Sequence, residues 1–249
     1  HIHKPALLGL FGAMLGYDGY AQTQKVFGKV DNSYPEYYQK LKDLKVAIVP
    51  KKQSFTKILE TFTNTTAMFN RVTVMDKKEK DEAENKNNDE VKKVKEKKSD
   101  KKSGATLIVE QFWLEKPSWD IYLMVDNEES KKIEESILNF KTVYSLYLGA
   151  NNHFANINDI GILEGKEIAE NPFIISSLIK SDEINANLES MLTSRKECKN
   201  LFYFNYILPT KLSSNNNIYQ KEGFVLTNDL VGLRKNKAYN VNGVNVVFY

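Results

Sequence analysis

The sequence predicts an α+β fold with helices and strands segregated along the chain. Three observations carry that expectation. Apolar residues recur at helical spacing in a few separate stretches, short β-branched and aromatic runs fill much of the remainder, and the last fifty residues read almost wholly as strands. Regular βαβ alternation, the mark of a doubly wound sheet, is absent.

The first element is a helix over 5–17. Pro5 suits its first turn, where a missing N–H costs nothing. Leu7, Leu10, Phe11 and Met14 make an apolar stripe, and Gly9, Gly12, Ala13 and Gly16 form a strip beside it with almost no side chain. Each glycine costs about 0.8–1 kcal/mol against alanine in a helix. Such a strip therefore implies close approach by another backbone, of protein or nucleic acid. His3 and Lys4 precede it, where free N–H groups and the helix dipole favour an anion.

Ser33-Tyr34-Pro35-Glu36 reads as a capping box for a short helix, with Tyr37, Leu41 and Leu44 on one face. KVAIVP (45–50) reads as a strand, and RVTVM (71–75) with ATLIVEQFWL (105–114) as the two sides of a hairpin. Between them, 76–104 holds eleven lysines against nine acidic residues and no apolar period, so it is expected to be a disordered charged insert. WDIYLMV (119–125) predicts a strand, and Asp126 a cap for a helix through Phe140 with Ile133, Ile137 and Phe140 inward. TVYSLYLG (142–149) predicts a strand, and 182–193 a helix on Ile184, Leu188 and Leu192. LFYFNYILP (201–209), GFVLTN (223–228) and VNVVFY (244–249) complete the strands.

The formal charge is +3, and the 76–104 segment accounts for most of it, so any nucleic-acid site is a local patch. Cys198 is the single cysteine, which excludes an internal disulfide and a cysteine zinc site. His1, His3 and His153 have no carboxylate or cysteine at ligand spacing, so no metal or other cofactor is expected. The glycines at 9, 12 and 16 follow no strand and form no dinucleotide fingerprint, and Gly161-Ile-Leu-Glu-Gly165-Lys166 has the wrong spacing for a phosphate loop. The apolar opening is shorter than the ~20 residues that span a bilayer, and it has no basic leader. The expectation is a cytoplasmic protein without a membrane partner.

KPALLGLFGAMLGY (4–17) resembles the first-helix motif of the Cas-five family, the RAMP-type subunit of type I CRISPR interference complexes, and is most like the type I-B branch. TFTNTT (61–66), YLGANNHFA (147–155), YILP (206–209) and FVLT (224–227) are similar to later segments of that family. The resemblance implies a single RAMP domain over 1–249, with a ferredoxin-like (RRM-like) core and a protruding β-hairpin thumb. Family members carry a strand and loop ahead of this helix, so a first strand upstream of His1 is expected. Also implied are binding of the repeat-derived 5′ handle of CRISPR RNA, a Cas-seven-type backbone subunit and a Cas-eight-type large subunit as neighbours, and contact with target DNA through the complex.

RNA handles are held by phosphate contacts and by bases splayed onto aromatic rings. Lys4 is the leading phosphate candidate. Lys57, Thr63, Asn64, Thr65 and Arg71, with Lys51 and Lys52 nearby, are candidates for the same groove. Tyr17 and Tyr20 are candidate stacking rings, and Asn151, Asn152 and His153 form a candidate contact loop. Two alternatives stand beside a non-catalytic RNA-binding role. One branch of the family, in type I-C systems, cuts repeat RNA without metal through Tyr, Lys and His, which makes Tyr17, Lys4 and His3 the residues to watch. The other is a protein-only assembly scaffold.

Overall fold

The computed structural model describes residues 1–22, 34–64, 107–150, 152–169, 173–185, 200–214 and 216–249. Described residues divide into two compact units, His1–Gln53 with Ser118–Tyr249, and Ser54–Pro117. The fold is mixed α+β, built of small antiparallel sheets.

In the larger unit, α1 (Lys4–Leu15) packs on α2 (Glu36–Leu41), on β9 (Tyr203–Leu212) and on α3 (Glu128–Leu138). Leu7, Leu8, Leu10, Phe11 and Met14 of α1 enter one core with Leu41, Val46, Ile48, Ile133, Leu208, Leu212 and Phe224. Strand β1 (Val46–Pro50) pairs with β4 (Trp119–Leu123), Val46 opposite Leu123 and Pro50 opposite Trp119. On its other edge, Val46 exchanges backbone hydrogen bonds with Tyr249, and Ile48 accepts one from Leu178. Strand β10 (Tyr219–Thr227) lies between β9 and the short β7 (Ile179–Lys180). A second core joins Ile175, Ile179, Ile184, Val225, Val231 and Val247. It underlies β11 (Leu230–Leu233) between β6 (Phe173–Ile174) and β8 (Ile184–Asn185), and β12 (Ala238–Val241) between β13 (Val244–Val247) and β5 (Gly165–Ile168).

The smaller unit is a hairpin of β2 (Lys57–Asn64) and β3 (Leu107–Leu114), in register from Lys57 opposite Leu114 to Asn64 opposite Leu107. Apolar side chains stay exposed on both faces: Leu59, Ile108 and Phe112 on one, Ile58 and Phe62 on the other. The insert 76–104 and the strand expected over 71–75 lie outside the described residues.

Several elements differ from expectation. Residues 142–149 form no strand, because Val143 and Tyr144 donate their N–H groups to the Met14 and Ala13 carbonyls at the end of α1. Only Tyr147 makes a bridge, to Phe154. Ser181–Glu183 is a 3-10 turn and Ile184–Asn185 a strand against β11, so the expected 182–193 helix stops after 183; 186–193 lie outside the described residues. Ser33 of the expected capping box lies outside the described residues; Pro35 is the N-cap of α2, without a side-chain bond, and Glu36 accepts the Asp18 N–H at 2.8 Å. Tyr38, not Tyr37, is the buried tyrosine of α2, its hydroxyl accepting the Leu212 N–H. Asn127, not Asp126, caps α3 in a reciprocal box with Ser130, while Asp126 pairs with Lys45 at 2.6 Å. Phe140 lies past the end of α3 and is 81% exposed. Strand β9 runs through Pro209 to Leu212, which an edge strand tolerates because no partner needs the missing N–H.

Candidate nucleic-acid interface

The two ends of α1 carry different chemistry. At its start, the His3 side chain is the N-cap, its Nδ1 accepting the Ala6 N–H at 3.2 Å while the ring stands edge-on to Tyr219. Burial pushes the imidazole down to about 4, which keeps the accepting nitrogen unprotonated near neutral pH. Lys4 Nζ donates to the Tyr249 carbonyl at 3.1 Å. Burial, then the charge of Lys180, brings this ammonium down to about 8. One of its three donors is thus held by the protein's own backbone.

At the other end, the glycine strip has protein occupants. A Cβ on Gly12 would collide with Tyr37 Cβ, so that glycine is the condition for α2 to lie on α1. Gly16 closes the helix in the left-handed region at φ 78°, with Val143 side-chain carbons 3.0 Å from where its Cβ would be. The Ala13 carbonyl accepts N–H groups from Gly16 and Tyr144, and Gly9 meets only Tyr37 at an ordinary 3.9 Å. Tyr17 follows. Its hydroxyl donates to Glu129 at 2.6 Å and Lys40 lies 4.0 Å above its ring, while burial, then Glu129, raises its pKa. Tyr20 is exposed, edge-on to Tyr37.

Segment 143–155, bonded to this same end, carries the loop expected to touch RNA. Leu148 N–H donates to the His153 carbonyl, and His153 N–H to that of Ala150, leaving Asn152 exposed and His153 half-buried. Asn151 lies outside the described residues. In the hairpin unit, Lys57 is exposed at one end of β2. Thr63 and Asn64 lie at the other, six and seven residues or ~20–23 Å along the strand. Thr65 and Arg71 lie outside the described residues.

Candidate residues therefore gather in groups. Tyr17, Tyr20 and the 147–155 loop share the end of α1, His3 and Lys4 the start, and Lys57, Thr63 and Asn64 the hairpin. A twelve-residue helix, ~18 Å long, separates the first two groups. Among the described residues, Lys40, Lys45, Lys51, Lys132, Lys180 and Lys237 each pair with a carboxylate.

One feature lies outside the candidate site residues. An open groove of about 460 Å³ lies between α3 and 142–160, lined by Phe140 and Phe154 with Ser136, Thr142, Asn156 and Asn158. The apolar period that would have drawn attention to it is broken by alternating asparagines.

No protein-family model matches this chain, and no curated protein and no solved structure is significantly similar to it. Among the described residues, no cluster of three His, Cys, Asp or Glu forms a metal site, and no helix is long and apolar enough to cross a membrane.

Proposed function

We propose that this chain is a Cas-five-type subunit of a type I CRISPR interference complex, holding the repeat-derived 5′ handle of CRISPR RNA without cutting it. Its neighbours in this reading are a Cas-seven-type backbone subunit and a Cas-eight-type large subunit, and target DNA is reached through the complex. The resemblance of 4–17 and the later segments gives the family. The observation that carries the reading further is the hairpin of β2 and β3, a compact unit by itself with apolar side chains exposed on both faces. A two-stranded pair with apolar side chains exposed on both faces, as the described residues show, favours a partner that covers it. A thumb on a RAMP core has that property.

The near-neutral chain favours recognition by a few placed groups over a basic coat. In the complex, Lys4, Lys57 and Arg71 are the proposed phosphate contacts. Tyr17 and Tyr20 are the rings for bases, and Thr63, Asn64, Thr65, Asn151, Asn152 and His153 the polar contacts. The ribonuclease alternative needs His3, Lys4 and Tyr17 at one phosphate, and α1 holds Tyr17 about a helix length from the other two. The protein-only scaffold draws its support from the charge balance and the exposed hairpin.

The test is to co-express a tagged copy with the rest of its operon, crosslink with ultraviolet light, and map nucleotides and peptides. Crosslinks from the repeat-derived 5′ end to residues near 4–20, 57–71 or 147–153 are expected. RNA crosslinked to the other subunits, with none to this chain, sinks the handle reading and leaves the scaffold.

A further inference from the structure

Phe140 stands where a glycine belongs. Helix α3 ends in a Schellman motif: the Phe140 N–H donates to the Ile137 carbonyl at 3.1 Å and the Lys141 N–H to that of Ser136 at 2.9 Å. The residue between them must be left-handed, and Phe140 has φ 52°. A bulky side chain is strained there, and glycine is the ordinary choice. The two hydrogen bonds account for the backbone turn but not for the choice of Phe, since its ring is 81% exposed. Backbone strain retained without a packing return is a pointer to function.

The surroundings say what the ring is for. Phe154, 70% exposed, lines the same open groove, whose volume lies in the range of small-ligand sites. Ser136, Thr142, Asn156 and Asn158 supply hydroxyls and amides, and no charged side chain lines it. Met14, Ile137, Leu146, Ala155, Ile157 and Ile160 complete a lining that is mostly apolar. This lining suits a planar ring with a polar edge: an aromatic face to stack on, and donors and acceptors to read the rim. An apolar side chain from a protein partner would leave those hydroxyls and amides facing it without hydrogen bonds, a poor match. A phosphate finds no cation there.

We infer that the groove between α3 and 142–160 receives one unstacked nucleobase of a single-stranded RNA, with Phe140 as the stacking platform and Asn156 and Asn158 reading the base edge. This rests on the RNA-handle reading and adds a base site to it, separate from the candidate site residues. Phe154 and Ala155 of this groove belong to the 147–155 loop that was expected to touch RNA.

The test compares the full chain with Phe140→Gly and with Asn156→Ala/Asn158→Ala. Binding of 5′-labelled eight-nucleotide single-stranded RNAs, uniform and mixed in sequence, is followed by fluorescence anisotropy. Phe140→Gly removes the strain, so its unfolding midpoint is expected to hold or rise while RNA affinity falls about 5- to 150-fold, the range for loss of one stacked base. The double asparagine variant is expected to narrow the affinity differences among uniform sequences. Unchanged affinity in Phe140→Gly, with the parent chain binding RNA, overturns the base site and leaves the handle reading standing. A parent chain that binds none of the RNAs, alone or in its complex, overturns both. RNA binding retained in Phe140→Gly together with loss of a protein subunit from the complex identifies a protein dock and also overturns the base site.

Discussion

His3 ties the start of α1 to pH. Its folded pKa is about 4 against an ordinary 6.5, so between those values the unfolded chain binds a proton that the folded chain refuses. Stability is therefore expected to be fully present above pH 6.5, to fall as pH drops through this window, and to lose no more from this group below 4. Protonation also removes the acceptor for the Ala6 N–H, a cap worth about 1 kcal/mol. Urea midpoints measured against pH check this, and His3→Asn, which caps without titrating, should flatten the slope between 4 and 6.5. Gly12 makes a second prediction at this scale. Gly12→Ala forces a methyl into Tyr37 and should cost about 1–3 kcal/mol, whereas Gly9→Ala, with room beside it, should be neutral or stabilising. Equal loss from both would mean that α2 does not rest on Gly12. For Lys4, a bound phosphate requires the charged form. RNA affinity through this contact is expected to fall as pH rises through about 8, and Lys4→Arg should abolish that dependence.

At the scale of elements, the sequence was legible where one strong local signal agreed with the final packing. KPALLGLFGAML became α1 because Pro5, the apolar stripe and Gly16 all point the same way. VAIVP became β1, and the hydrophobic run 107–114 became β3. Elements that failed were decided by partners far along the chain. Segment 142–149 has β-rich composition, yet its amides finish α1 instead of entering a sheet. Ile184 has helical neighbours in sequence but is claimed by Leu233 of β11. A local error cost the cap of α3: Asp126 and Asn127 are equally good caps by type, and Ser130 at the third helical position favours Asn127. Asn127→Ala should destabilise by about 1 kcal/mol, while Asp126→Ala, which removes the exposed pair with Lys45, should change stability less. Strands β12 and β13 were half-read, although Asn242-Gly243 between them, both at positive φ, is the commonest signal for a two-residue hairpin turn.

For the whole molecule, the site was less legible than the fold. Gly12 and Gly16 do meet close neighbours, and Tyr17, named as a stacking ring, is held by Glu129; but Tyr37, Val143 and Glu129 are partners that no local pattern ties to α1. The groove at Phe140 was invisible because left-handed backbone leaves no mark in composition. The 76–104 segment, balanced in charge and poor in apolar residues, is expected to contribute solubility and little else. Replacing 77–103 by a short Gly/Ser turn should leave the unfolding midpoint of the larger unit and the assembly of the complex intact. Loss of the complex from that deletion would give the segment a partner of its own.

Lys4 reaching the Tyr249 carbonyl also sets a timetable. Helix α1 is translated well before its partners: Leu208, Phe224 and Tyr249, against which it is finally seated, emerge some 200 residues later. At about 5–20 residues per second, the ribosome leaves this apolar helix waiting roughly 10–50 s for its seat. During that interval it is a natural client for a chaperone, and slowing translation late in the message lengthens the exposure. Ribosome-bound chains cut off before residue 201 should therefore stay protease-sensitive at 4–15, and chains extended past 249 should not.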